Sequence, residues 1–337
     1  MNDHERFALG DFSLQRGGVL RDASLAYVTH GTLDAERRNA IVVPSAYGGT
    51  HADSDWLIGP GKPLDTDRYF IIATNLFGNG LSTSPTNASP EQRGPTFPSV
   101  TVYDNVEAQF RLVVDQFKVR EIALVAGFSM GAQQTFHWGA RAPDLVRRIA
   151  PFCGSARTAE HNIVFLDGMA AIIRADAAFA GGQYTAPPRA GLDTLGRAWA
   201  AWGLSQRFYR EERWRDLGFA SRDAFIEEAY VASFSAGDAN NLLAMLWTWR
   251  HADVGAHERY GGDTARALGA IAARAVVMPC ATDLYFPPDD NAREAAAMPA
   301  AELAIIPSIF GHAVGGNVDP AGGEWIAARL RALLATP

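Results

Sequence analysis

Short apolar runs alternate along the chain with segments of helical periodicity. Five of these runs are flanked by Gly, Pro or Asp and have the β-branched content of strands covered on both faces. They lie at residues 40–43, 69–73, 122–126, 275–278 and 303–306. Two earlier segments of alternating polarity, 7–14 and 24–28, predict an antiparallel hairpin at a sheet edge.

Helical patterns fall between the predicted strands. After Asp104, a predicted N-cap, apolar residues at 106, 110, 113, 114 and 117 share one face of a helix. The segment 325–334 has the same character. This alternation of strand and helix predicts an α/β protein with a mostly parallel central sheet and helices on both of its faces.

One long segment, from about 155 to 265, lacks a convincing buried strand. It is rich in Ala, Arg and aromatic residues at helical spacing, and it holds five of the eight tryptophans: Trp199, Trp202, Trp214, Trp247 and Trp249. We interpret it as a helical lid that interrupts an α/β core formed by residues 1–154 and 266–337. Most of its aromatic residues are expected to pack the core of the insertion itself.

Charge and composition narrow the class of partner. The chain has 337 residues, 48% of them hydrophobic, and a net charge of −7 without a Lys/Arg cluster, which argues against a nucleic-acid partner. No apolar run is long enough to cross a membrane, and the charged start differs from a secretory signal, so a cytoplasmic location is expected. Two cysteines, Cys153 and Cys280, are too few for a disulfide scaffold and are predicted to be buried.

The strongest candidate for chemistry is Ser129, within Gly127-Phe128-Ser129-Met130-Gly131. This Gly-x-Ser-x-Gly pattern follows a predicted strand and precedes a predicted helix, which is the context of a nucleophile elbow. The pattern alone arises often by chance, and a Ser in a Gly-rich turn is more often structural. The flanking strand and helix favour the catalytic interpretation.

A serine nucleophile needs a base and an acid, which follow it in that fold in the order acid, then His. Asp283 follows the predicted strand 275–278, and His312 follows 303–306, so both lie at carboxyl ends of strands. Asp289 and Asp290 are better explained as the N-cap of a following helix, Asp319 as a helix start, and His137 as a packed residue on a helix face. No ligand spacing for a metal is evident, and none is predicted.

Two backbone N–H groups are expected to form the oxyanion hole. Met130 follows the nucleophile and supplies one. The loop after residues 40–43 supplies the other, from Tyr47 or, as a fallback, from Ala46.

From about Ala26 onward the chain resembles the homoserine O-acetyltransferase branch of the α/β-hydrolases. The most specific segment is 58–70, Ile-Gly-Pro-Gly-Lys-Pro-Leu-Asp-Thr-Asp-Arg-Tyr-Phe, and four shorter motifs match: the elbow, Asp238-Ala239-Asn240, Phe286-Pro287-Pro288 and Gly311-His312. The resemblance implies an α/β-hydrolase fold, the same catalytic triad, a helical lid and no cofactor in the chemistry. It is also compatible with a homodimer.

Departures from that branch concern the acceptor. Ala313 stands where the transacetylases usually carry an Asp for the homoserine amino group, and no Arg precedes Asp238 to hold the carboxylate. Leu242 replaces a frequent Tyr, and the loop 44–49 also varies. Charge-assisted contacts are worth ~1.5–3 kcal/mol each, so a zwitterionic acceptor is disfavoured.

Three hypotheses follow. The first is a carboxylic-ester or related acyl hydrolase that acts through an acyl-enzyme on a small, largely apolar acyl substrate. The second is an O-acetyltransferase that moves acetyl from acetyl-CoA, as co-substrate, to a small homoserine-like alcohol. The third is a non-catalytic binding protein on the same fold, which the presence of all three triad residues disfavours.

Overall fold

The core of the protein is a twisted sheet of eight strands within residues 4–336, the part of the chain that the computed structural model describes. In chain order the strands are β1 (Glu5–Ser13), β2 (Val19–His30), β3 (Ala40–Pro44), β4 (Phe70–Thr74), β5 (Ile122–Phe128), β6 (Arg148–Phe152), β7 (Arg274–Val277) and β8 (Ala301–Leu303). Their order across the sheet is β1-β2-β4-β3-β5-β6-β7-β8.

The first two strands form the predicted hairpin, and β2 also pairs antiparallel with β4. From β4 to β8 every neighbouring pair is parallel. All residues of β3 and β4 are buried, as expected for apolar strands with helices on both sides. The carboxyl ends of these parallel strands therefore meet along one edge of the sheet, where an open α/β sheet places its site.

Eleven α-helices lie within residues 4–336. They are α1 (Val102–Phe110), α2 (Met130–Arg141), α3 (Glu160–Ala175), α4 (Arg189–Gly203), α5 (Gln206–Arg210), α6 (Arg222–Phe225), α7 (Ala232–Ser235), α8 (Ala239–Arg250), α9 (Thr264–Gly269), α10 (Pro288–Ala296) and α11 (Pro320–Leu334). A π-helical turn, Arg111–Gln116, continues α1, and another, Ile226–Val231, joins α6 to α7.

Helices α3 to α9 all lie between β6 and β7, so that part of the chain leaves the sheet and returns to it. Two apolar clusters cover the two faces of the sheet. A third cluster joins α3, α4 and α8 to the carboxyl edge. We call this third cluster the aromatic roof; its buried aromatic members are Phe165, Phe179, Trp199, Trp249, Tyr285 and Phe286.

The structure corrects three local predictions. Thr101, not Asp104, is the N-cap of α1; its hydroxyl accepts from the Asp104 N–H at 3.2 Å, and Asp104 accepts in return from the Thr101 N–H at 2.8 Å. Asp289 and Asp290 lie in the first turn of α10, whose N-cap is Pro287. The last strand ends at Leu303, and the chain regains the sheet only through a single bridge between Ile306 and Cys280.

Strand β6 is absent from the sequence prediction. It is five residues long, begins with Arg148 and contains Pro151, which removes one ladder donor. It nevertheless lies in the centre of the sheet, between β5 and β7. Helices cover both faces of the sheet there, so Ile149, Ala150 and Phe152 are all buried.

Candidate active site

Ser129 lies at the sharp turn between β5 and α2. Its backbone has φ 58° and ψ −122°, a region that residues with a side chain rarely adopt and that costs about 1–3 kcal/mol. Its N–H donates to the carbonyl oxygen of Phe152 at 3.1 Å, which fixes the turn to the end of β6. The strained turn points the hydroxyl out of the sheet edge and toward the following loops.

The two glycines of the motif are required by close backbone contacts. A Cβ on Gly127 would lie 2.3 Å from the Gly131 carbonyl oxygen, and a Cβ on Gly131 would lie 2.5 Å from that of Pro44. The first contact closes the elbow. The second brings the loop after β3 against the start of α2, so both predicted oxyanion donors are carried by segments in contact.

Three side chains form a continuous hydrogen-bonded chain. His312 Nε2 lies 2.9 Å from Ser129 Oγ, and His312 Nδ1 lies 2.8 Å from Asp283 Oδ2. With its proton on Nδ1, the imidazole donates to Asp283 and accepts from the serine hydroxyl. Ser129 is only 3% exposed and Asp283 4%, so both ends of this hydrogen-bonded series of side chains are shielded from water.

Backbone groups hold the acid and the base. Asp283 Oδ1 accepts from the N–H groups of Tyr285 at 2.8 Å and Phe286 at 3.2 Å, which leaves Oδ2 facing His312. The Thr282 hydroxyl donates to the Ser308 carbonyl at 2.9 Å and accepts from the Gly311 N–H at 3.2 Å. These contacts tie the loop after β7 to the turn that carries His312.

The oxyanion side offers free backbone N–H groups on two segments of the chain. Met130 is the first residue of α2, so its N–H has no acceptor within the helix. Within residues 4–336 the N–H groups of Ala46 and Tyr47 donate to no other backbone carbonyl. The geometry leaves both Tyr47 and its fallback Ala46 available.

Aromatic rings enclose the imidazole. The ring centroids of Phe128, Tyr285 and Phe286 lie 4.7, 4.9 and 5.6 Å from that of His312. Behind them the Tyr47 ring stacks on Trp199, with centroids 5.0 Å apart and an angle of 6°. A water-poor surrounding of this kind strengthens the hydrogen bonds and charges inside it.

Burial also sets the protonation of nearby groups. It raises the pKa values of Tyr47 and Tyr285, so both hydroxyls stay protonated. It lowers the pKa of His137 to about 3, which keeps that imidazole neutral and agrees with a packed residue rather than a second base. Burial raises the pKa values of the thiols of Cys153 and Cys280, which are both buried and free.

Two supporting residues were not predicted. Gln134 donates from Nε2 to the carbonyl oxygens of Ser45 at 2.9 Å and Met130 at 3.1 Å. Its place four residues after Met130 on the buried face of α2 is the only sequence signal for it. Glu294 is half-buried, and its carboxyl accepts from the N–H groups of Ala156 and Arg157 and from the Asn291 amide, yet desolvation raises its pKa to about 8.

A cavity of about 460 Å³ lies apart from this site, between the loop 85–99 and α8, and none of Ser129, Asp283 and His312 lines it. Residues 4–336 contain no group of three or more His, Cys, Asp or Glu side chains placed to hold a metal ion. Nor does any helix in the same range have the length and apolar content needed to cross a membrane.

Known proteins resemble this chain along almost its whole length. A family model described as alpha/beta hydrolase fold matches residues 39–184. A probable esterase of Corynebacterium glutamicum, Cgl0839, is 41% identical over 315 residues, which covers 92% of this chain and 89% of the relative. An ethyl acetate hydrolase of Pseudomonas veronii is 38% identical over 336 residues, covering 99% and 96%.

A solved structure of the acetyl esterase MekB superposes with a TM-score of 0.97 at 38% identity, covering 99% of this chain and 97% of the other. A homoserine O-acetyltransferase of Chlorobaculum parvum is 31% identical over 317 residues, covering 89% of this chain and 87% of the relative. The esterases are thus more similar to this chain than that transferase is.

Proposed function

This chain belongs to the α/β-hydrolase family, in the branch that esterases share with homoserine O-acetyltransferases, and we propose that it hydrolyses small carboxylic esters, acetates above all. It is a serine hydrolase of the esterase type, like the relatives that are 41% and 38% identical to it. The single observation that carries the catalytic assignment is the hydrogen-bonded chain Ser129–His312–Asp283, with its two distances of 2.9 and 2.8 Å.

In the first half of the reaction, Ser129 Oγ attacks the carbonyl carbon while its proton passes to His312 Nε2. The negative charge that develops on the carbonyl oxygen is held by the N–H groups of Met130 and Tyr47. As the carbon–oxygen bond to the alcohol breaks, His312 Nε2 returns the proton to the departing oxygen. The products of this half are the free alcohol and an acyl group bound to Ser129.

In the second half, a water molecule loses its proton to His312 and attacks the acyl carbon. The bond to Ser129 Oγ breaks, the serine recovers its proton, and the carboxylic acid leaves. Asp283 stays ionised throughout and stabilises the imidazolium that forms twice. These steps require no cofactor.

Acetyl transfer from acetyl-CoA is the alternative, and the transferase relative is its support. The segment that the missing acceptor Arg would precede is engaged within the fold. Asp238 caps α8 by accepting from the Asn241 N–H at 2.9 Å and accepts from the Tyr184 hydroxyl at 2.6 Å, so its carboxylate is already engaged. Leu242 is buried in the aromatic roof and offers no polar group.

The test is a paired assay of the wild-type protein and its Ser129→Ala variant. One arm offers ethyl acetate in water and measures acetic acid. The other offers acetyl-CoA with homoserine and a panel of small alcohols, and measures free CoA and acetylated product. We expect hydrolysis that depends on Ser129 and no acetylated acceptor. Hydrolysis that survives Ser129→Ala would overturn the nucleophile assignment, and acetylhomoserine would establish the transferase.

A further inference from the structure

A cavity of about 280 Å³ is lined by residues close in the chain to the catalytic ones, although Ser129, Asp283 and His312 do not themselves line it. Among the residues that the structure describes, those lining it come from the ends of β3, β5 and β6, the loop after β3 and the turn that carries His312, with none from helices α3 to α9. The Tyr47 segment lies between this cavity and the roof, because Tyr47 lines the one and stacks on Trp199 in the other. The site therefore has two distinct sides.

The walls of this cavity carry the neighbours of the reacting groups. Ala46 and Tyr47, the candidate oxyanion donors, form one wall, and Gly315 and Gly316, which follow His312, form another. Phe128 forms a third. The cavity is thus bounded by the segment that fixes the carbonyl oxygen and the segment that carries the base.

Phe128 connects the cavity to the imidazole, because it lines the one and packs against the other. Its ring lies tilted against that of His312, with centroids 4.7 Å apart, and stacks on Phe152 at 6.0 Å. Gly315 fits directly against it, since a Cβ there would lie 2.2 Å from the Phe128 ring. Any group held in the cavity therefore lies beside the ring that packs on the proton donor.

We propose that this cavity receives the alcohol portion of the ester. The inference rests on the proposed function, because His312 must deliver its proton to the alcohol oxygen and that portion must leave from the side of the imidazole. The acyl portion stays on Ser129, beneath the closely packed roof. A group that lies between the oxyanion loop and the segment after His312 meets the geometric requirement for the leaving group.

The lining indicates which alcohols fit. Trp56, Phe128 and Phe152 give the cavity aromatic walls, and Asp53 with Thr50 supplies polar groups. The Asp53 carboxylate disfavours an anionic occupant, and the aromatic walls favour an apolar alcohol portion. A volume of about 280 Å³ is near the lower end of ligand sites, which run from roughly 300 to 1,000 Å³, and suits an alkyl or small aryl group.

Gly316 offers a way to fill the cavity without disturbing the triad. A Cβ built there meets nothing within 4 Å, and its φ is not in the left-handed region, so a larger side chain is tolerated. Gly168, in α3, has the same two properties and does not line the cavity. Gly316→Leu and Gly168→Leu are therefore a matched pair.

The experiment compares wild type with both variants on two ester series. One series varies the alcohol, from methyl to ethyl, butyl and hexyl acetate. The other varies the acid, from ethyl acetate to ethyl butyrate and ethyl hexanoate. We expect Gly316→Leu to lower kcat/KM for butyl and hexyl acetate by about ten-fold or more relative to methyl acetate, with the ratios of the acid series nearly unchanged. Gly168→Leu should match wild type.

An unchanged alcohol series, or a Gly316→Leu effect confined to the acid series, would overturn the inference while leaving the hydrolase intact. Absence of Ser129-dependent hydrolysis in wild type would instead overturn the proposed function and the inference together. If Gly316→Leu fails to fold, Trp56→Ala serves in its place. Removing that wall should raise kcat/KM for hexyl acetate relative to methyl acetate, and no change in this ratio would count against the inference.

Discussion

The side-chain amide of Gln134 donates a hydrogen bond of 2.9 Å to the carbonyl oxygen of Ser45, and thereby joins the loop after β3 to the helix that follows the nucleophile. The same nitrogen reaches the Met130 carbonyl at 3.1 Å. The amide oxygen of Gln134 accepts from Gln109 Nε2 at 2.6 Å, which fixes the orientation of the group. One side chain thus sets the spacing between the two segments that carry the candidate oxyanion donors.

Replacing Gln134 by Leu is expected to lower kcat by about ten- to a hundred-fold, because small misplacements of catalytic groups carry penalties of that size. KM should change little, since the interaction acts when charge develops on the carbonyl oxygen. Steady-state kinetics on ethyl acetate provides the measurement. The control is Gln133→Leu, the adjacent buried amide, which donates to Thr158 at 3.0 Å instead. Equal loss of kcat in both variants would contradict the role assigned to Gln134.

Adding a methyl group at Gly131 should lower both the stability and the activity of the protein. Its Cβ would lie 2.5 Å from the Pro44 carbonyl oxygen, so Gly131→Ala must push the loop away from α2. We expect a loss of about 1–3 kcal/mol in the free energy of unfolding, typical of overpacking, and a lower kcat. Urea titration and ester kinetics measure the two effects. Gly168→Ala is the control, and there the better helix propensity of Ala predicts no loss of stability.

The half-buried carboxyl of Glu294 predicts a pH dependence of stability. Its pKa is raised from 4.5 to about 8 in the folded state, mainly by desolvation, so between these values the folded chain binds more protons than the unfolded one. The free energy of unfolding should therefore fall as pH rises from 4.5 to 8, by at most about 1.4 kcal/mol per pH unit from this group.

Thermal unfolding of wild type and Glu294→Gln, measured from pH 5 to 9, tests this expectation. The melting temperature of the variant should rise relative to wild type as pH increases, because Gln carries no charge to desolvate. Parallel curves over the whole range would show that Glu294 has an ordinary pKa in the folded protein.

Restoring one acceptor anchor should not restore homoserine chemistry. Ala313→Asp introduces a carboxylate beside His312, yet the segment 233–238 still lacks an Arg for the acceptor carboxylate. A zwitterion would leave that charge unpaired, at a cost of about 1.5–3 kcal/mol for the lost charge-assisted contact. Mass spectrometry for acetylhomoserine, with acetyl-CoA as donor, is the measurement. Detection from the single variant would show that the acceptor is held elsewhere.

Motifs with strong local rules were predictable from the sequence. The elbow is one, because the strand, the Gly-x-Ser-x-Gly motif and the helix each have a recognisable sequence pattern. The structure brings Ser129, Asp283 and His312 together at the carboxyl edge of the sheet, as the order of the strands along the chain predicts. The N-cap of α1 was assigned wrongly because Thr101 and Asp104 are both capping residue types, and only the hydrogen bonds decide which begins the helix. Strand β6 was missed because Pro151 is a strong local argument against a central strand, and burial outweighed it.

Contacts made across long sequence separations were not predictable. The Gln134 amide meets Ser45 from 89 residues away, and Glu294 meets Ala156 from 138. Neither residue has a neighbour in sequence that signals its partner. The fold determines these pairs, so they become visible only once the sheet order and the course of helices α3 to α9 are known.

The separation of 183 residues between Ser129 and His312 has a consequence for biogenesis. The elbow belongs to strands that can pair early, whereas the imidazole reaches it only after α3 to α9 have formed and β7 and β8 have joined the sheet. A nascent chain would therefore carry its hydroxyl without a base, and turnover would begin only when the last third of the polypeptide has docked. Recovery of activity during refolding should accordingly report the final assembly step rather than the early growth of secondary structure.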